Sequence, residues 1–192
     1  MPIYFSSIFM FNKFKRNKAD TLNVSKLPNY FEKGIPIISK TITEDINLHK
    51  LSKIANKTNL HISFENCFIQ NIDISFHTFE NRIKFKNCII KDFMAMSIFY
   101  PQGFEMINCI ILENFDLTCG GHNKLNSFVL ENCVFNGKVD FIDCWFMGKV
   151  IIRKNIFTNG TNILGNSKFG TKVQFEDEYI LENNLGAINL EH

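Results

Sequence analysis

The sequence has little of what marks many common protein types. It holds 4 Pro, 10 Gly and 1 Trp in 192 residues. So little Pro and Gly excludes a collagen-like or linker-like chain. No run of 18 apolar residues occurs, so no segment reads as a membrane-spanning helix. The six cysteines, Cys67, Cys88, Cys109, Cys119, Cys133 and Cys144, include no C-x-x-C pair, and zinc-ligand spacing is therefore lacking. P-loop, dinucleotide-binding, nucleophile-elbow and H-E-x-x-H motifs are lacking too. No metal and no cofactor is expected. A strong charge of one sign is also missing. The net charge of +2 does not point to nucleic acid as a partner.

What is present is aromatic and apolar. Phe occurs 21 times, and 45% of the residues are hydrophobic against 21% charged. That balance excludes a disordered tail. Residues 1–59 carry ten basic and four acidic side chains, a net of +6, and the remainder has a net of −4. The apolar start, Met1 to Phe11, is followed by Lys13-Phe-Lys-Arg16. A signal peptide has the opposite order. Residues 3–18 read either as a segment packing on the body or as a short amphipathic membrane anchor. Without a secretory signal, the cysteines are expected to be reduced, buried thiols in a cytoplasmic protein. Leu190-Glu191-His192 reads as the remnant of an affinity-tag junction.

The main signal is internal repetition. Asn-Cys recurs at Asn66-Cys67, Asn87-Cys88, Asn108-Cys109 and Asn132-Cys133, with steps of 21, 21 and 24, and Asn155 continues the series. A second column is read at His77, Ser97, Cys119, Cys144 and Ser167. The lengthened step in each column spans Gly120–Ser127, which reads as one loop extruded from one coil. In the C-terminal half, large residues stand five or six apart at Phe135, Phe141, Phe146, Ile152, Phe157, Ile163, Phe169 and Phe175. A smaller residue stands two before each. Residues two apart on extended chain share a side. Steps of five and six walk off any helical face. The pattern predicts short extended segments, each sending one small and one large side chain inward, about 22 residues per coil. Stacked coils place Phe on Phe, Cys on Cys and Asn on Asn. The Asn before each Cys is expected to be a corner residue that hydrogen-bonds backbone along the stack.

The pairs from Cys133/Phe135 to Val173/Phe175, with a looser version from Ile62/Phe64 to Cys109/Ile111, resemble the pentapeptide-repeat proteins. The resemblance covers about residues 60–180. It implies an all-β, right-handed, quadrilateral β-helix. The mixed five-and-six spacing and the Phe centres depart from the family's strict five and its usual Leu, which leaves a three-sided coil open. The expected organisation is a basic N-terminal cap or entry segment over 1–59, five to six coils over 60–180, and a C-terminal cap over 181–192. Thr41–Ala55 is compatible with a short helix or an entry coil.

The resemblance implies a non-enzymatic, bacterial protein-binding scaffold acting through coil faces and the 120–127 loop. Its relatives include DNA mimics that bind type II topoisomerases, and an immunity or regulatory protein fits the same shape. A carbohydrate-active or carbohydrate-binding β-helix is the alternative from another class. Trp145 lies between inward Cys144 and Phe146, so parity aims it outward; Phe76 and Met94 are read similarly. Asp140 and Asp143 are read as acids able to share one groove. Candidate contact residues are Trp145, Asp140 and Asp143, with His122 and Lys124 on the loop. Partners expected are a protein, a membrane only through residues 3–18, and a second copy at an exposed coil end.

Overall fold

The structure is a computed structural model, and it describes residues 21–167 and 170–191. The readings placed on residues 3–18, Phe169 and His192 lie outside the described residues. The chain winds into a parallel β-solenoid of the right-handed type, about five coils of about 22 residues. A short helix, Leu27–Lys33, precedes the coils and packs Phe31 edge-on against Phe64. Thr41–Ile42 and Ile46–Asn47 are short strands of an entry coil.

Each coil has four short walls. In the first full coil the inward pairs are Ile62/Phe64, Cys67/Ile69, Ile72/Ile74 and His77/Phe79, and all eight side chains are buried. The first walls form one seven-stranded sheet running from Ile37–Ile38 to Tyr179–Glu182. The second and third walls form a nine-stranded sheet; they run together as Phe68–Asp73 and Ile89–Met94, then separate at Ile110–Ile111 and Phe115–Asp116. The fourth wall holds the pair Trp145–Phe146 and Gln174–Phe175 and two single bridges, Thr78 to Phe99 and Gly121 to Trp145.

The corner between the first and second walls is built the same way in every coil. Ser39, Asn66, Asn87, Asn108, Asn132, Lys154 and Asn183 all stand there with φ between +52° and +57°. Asn tolerates this left-handed backbone better than most residues. Its side chains form the expected ladder, but they bond to each other rather than to backbone. Asn87, Asn108 and Asn132 each donate through Nδ2 to Oδ1 of the Asn one coil earlier, at 3.1, 3.1 and 2.7 Å.

The residue after the corner points inward. Cys67, Cys88, Cys109, Cys133 and Asn155 stack in one register, as the repeat predicts. The thiols do more than fill space. The Cys88 amide donates to Cys109 Sγ and the Cys109 amide to Cys133 Sγ, each at 3.4 Å. The Cys133 amide donates to Asn155 Oδ1 at 2.9 Å. A buried amide without an acceptor is costly. Each coil thus supplies the acceptor that its predecessor's corner needs.

Phe stacks on Phe as expected: Phe64 on Phe85 at 5.4 Å, Phe93 on Phe115 at 4.9 Å, and Phe135 on Phe157 at 5.1 Å between ring centroids. The first-wall Phe changes slot between coils. Phe85 pairs with Met106, and Phe104 pairs with Ile83.

Three details of the repeat are corrected. The second column mixes two positions, because Ser97 and Cys119 are corner residues while His77 and Cys144 are the inward residues that follow the corner. Phe76, Ser97, Cys119 and Asp143 share a left-handed corner, whereas His77 lies level with Ile98 because Thr78 pairs with Phe99. Cys119 therefore sits on the corner and is exposed, and it is not a core filler. Last, Ser167 is exposed and bonds Glu191. The pairing of Phe146 with Phe175 puts Val173/Phe175 directly on the fourth wall, so Ser167 does not belong to that wall's column.

Lys154 is the one long side chain in the first corner column, where five coils place Asn. Lys154→Asn is expected to stabilise the fold by about 1 kcal/mol. A rise in Tm of about 2–4 °C checks it.

Candidate functional site

The fourth wall and the loop after it carry the candidate residues Trp145, His122 and Lys124. Trp145 is outward, as parity requires, and 39% exposed. Gly121 lies level with it in the coil below. A Cβ on Gly121 would meet the Trp145 carbonyl oxygen, and φ there is +105°, so only Gly fits beneath Trp145. The His122 amide donates to that same carbonyl at 2.6 Å. The His122 ring meets the indole edge-on at 5.5 Å. On its other side His122 stacks on Phe99, centroids 4.1 Å apart. Phe99 is itself 46% exposed. Phe99, His122 and Trp145 thus form a row along three coils. Trp145 Nε1 donates to Glu176 Oε1 at 2.8 Å, which fixes the indole at the end of the row.

Phe99 is absent from the sequence-derived candidates. Its signal is the one that finds Trp145, an outward position between inward Ile98 and Tyr100. Phe76 is exposed as expected, but it belongs to another group, with its ring centroid 6.4 Å from that of His49. Met94 is half-buried.

The extruded loop is shorter than expected. Gly120–His122 stay on the wall, paired with Trp145, and only residues 123–127 leave it. The Lys124 and Leu125 amides both donate to the Pro101 carbonyl, at 3.2 and 2.8 Å. Asn123 is fully buried and donates through Nδ2 to the Asn126 and Lys149 carbonyls. Lys124 and Leu125 are exposed at the tip. The loop is pinned at its base and adjoins the aromatic row.

Asp140 and Asp143 are not alike. Asp140 is 5% exposed and does not face outward into a groove. Its Oδ1 accepts from the Ile142 amide at 3.0 Å and from Asn162 Nδ2 at 2.8 Å, and Lys138 lies 2.7 Å from Oδ2. Burial alone would raise its pKa, but the bonds from Lys138, Asn162 and the Ile142 amide outweigh burial and hold it below the usual carboxylate value. Such a carboxylate is ionised and occupied, the opposite of a poised general acid. The same local turn occurs at Asp73 and Asp116, which accept from the amides of Ser75 and Thr118. Asp140 is thus a wall-turn residue. Asp143 stands exposed on the corner two residues before Trp145.

Charges on the first wall alternate. Lys84 pairs with Glu105 across coils, Glu65 with Lys86, and Glu131 with Arg153, whose side chains lie 2.9 Å apart. Among the described residues no group of three or more His, Cys, Asp or Glu side chains could hold a metal ion, and no helix is long and apolar enough to cross a membrane. No protein-family model, no curated protein and no solved structure matches this chain.

Five of the six free thiols are buried and Cys119 is exposed. Burial pushes Cys109 and Cys144 well up, so they stay protonated. Cys119 is also raised, by partial burial first and then by the charges of Asp143 and Asp116. The thiolate is the reactive form. Native protein is expected to release one equivalent of colour with an aromatic disulfide reagent, faster as pH rises, and the remaining thiols only on unfolding. Cys119→Ser is expected to abolish the native phase. Fast reaction of more than one thiol would contradict the burial pattern.

Proposed function

We propose that the chain is a non-enzymatic protein-binding scaffold of the pentapeptide-repeat kind, docking a protein through its fourth wall and the 123–127 loop. The observation that carries this reading is the row of exposed Phe99, half-buried His122 and exposed Trp145 on a wall whose backbone is paired to neighbouring coils. Exposed aromatics on a fixed surface lose little entropy on binding and are frequent anchors of protein interfaces. The loop adjoins the row and ends in exposed Lys124 and Leu125, so it extends the same surface. Asp143 and Glu176 add charge beside the indole.

The pentapeptide-repeat reading rests on the paired inward residues two apart on four walls. Mimicry of DNA is less favoured, because the first wall alternates acid and base where a mimic would carry continuous acid. A carbohydrate-cleaving site is less favoured, because Asp140 is committed to Lys138 and Asn162. Six free thiols agree with a cytoplasmic location.

The test is affinity capture from the native host, wild type against the Phe99→Ala/Trp145→Ala double variant, at neutral pH. A partner enriched by the wild type and lost with the variant supports the proposal. For a purified partner, loss of one anchor should cost at least about 2 kcal/mol, roughly a thirtyfold rise in Kd. A partner held equally by the variant, or no specific partner, would overturn it.

A further inference from the structure

We propose that His122 is an acid-sensitive latch: as a neutral ring it ties Phe99, Trp145 and the base of the 123–127 loop together, and as a cation it releases them. Its biological consequence rests on the proposed role of the fourth wall; its chemistry does not. The ring is stacked on Phe99 at an angle of 23° and meets Trp145 at 70°. The His122 Nδ1 is buried without a hydrogen-bond partner. A neutral ring can hold that nitrogen as a bare lone pair. Protonation would place an N–H and a charge at Nδ1, where no acceptor waits.

The ionisable groups around the ring do not rescue the cation. On the coil below, Phe99 offers only a ring face. On the coil above, Trp145 is uncharged, and the carboxylate nearest to it, Glu176, is bonded to the indole. On the corner stand Cys119 and Asp143, and on the loop Lys124, whose charge opposes another cation. No ion pair found among the described residues includes His122. A cation over Phe99 gains some cation–π attraction, but this supplies no acceptor for Nδ1. Burial accordingly holds the pKa of His122 below the usual imidazole value, against the opposing bond to Ile98. The sign follows. With the folded pKa depressed, the latch is fully closed above the unfolded value and is lost as pH falls through the lower folded value.

Three features make release spread beyond the ring. His122 stands at φ +61°, a strained setting for a side chain of its size. The loop begins at the next residue. Phe99 and Trp145 meet through His122, so its departure parts them.

Trp145 is the only Trp in the chain, and it reports on its neighbour without labelling. The experiment follows its emission as pH is lowered through the weakly acidic range, with far-UV circular dichroism in parallel. The wild type is expected to show a one-proton change in emission with a midpoint below about 6.5, while the β signal stays constant. His122→Gln cannot take the charge, and it should show no such change. His122→Asn, which suits the left-handed backbone, should behave like His122→Gln. Absence of a wild-type transition before the coils unfold, or an equal transition in both variants, overturns the latch. Partner capture at neutral pH is a separate readout. Its failure would overturn the docking role and leave the latch standing.

Discussion

The structure depends on one repeated corner. A residue with left-handed backbone turns the chain from the first wall to the second, and the next residue points its side chain into the core. The turn buries an amide away from the sheets, and the matching side chain of the following coil accepts its hydrogen. Cys109 does this for Cys88, Cys133 for Cys109, and Asn155 for Cys133. A thiol suits the place because it is small and weakly apolar, yet both accepts and donates. Each sulfur also reaches the carbonyl two residues back, as Cys88 does to Lys86 at 3.3 Å. A slip of one residue would break this contact and turn every inward side chain outward. The corner therefore fixes the register on which the Phe stacks and the outward rows rely.

The fourth wall is where the regularity is relaxed. The loop of residues 123–127 follows it, and among the described residues 164–167 precede it. They leave the first corner intact. The fourth wall of the third coil carries Gly120 and Gly121 where its neighbours place Ile98 and Phe99 or Cys144 and Trp145. At Gly121 the glycine lets the Trp145 backbone of the next coil approach closely. Residues free of duty in the core and in the ladders, Phe99, Trp145, Lys124 and Leu125, collect at this place. A surface of that kind is set by the rigid coils beneath it, while its side chains remain free to meet a partner.

Much of the coil was legible in the sequence, because periodic burial leaves a periodic text. The steps of 21, 21 and 24 between Asn-Cys pairs gave the coil length and the thiol column, and parity gave Trp145 its outward direction. What failed did so for identifiable reasons. Small residues serve both as inward fillers and as corner residues, so Cys119 and Ser97 looked like core beside His77. Val139-Asp140-Phe141 reads as in, out, in, yet Asp140 folds back onto the Ile142 amide and is buried by its own turn. Ser167 continued the spacing by chance, without belonging to the fourth wall's column. Phe99 has no compositional mark in the sequence, because Phe is so abundant in the core that an outward Phe does not stand out.

The corner itself offers the most direct test. Cys109→Val retains the volume and raises the apolarity of a fully buried site. If the thiol were only a filler, such a change would be neutral or stabilising. If the sulfur holds the Cys88 amide, Val leaves that amide buried without an acceptor, and denaturant unfolding should show a loss of about 1–3 kcal/mol. Stability unchanged or increased in Cys109→Val would contradict the account.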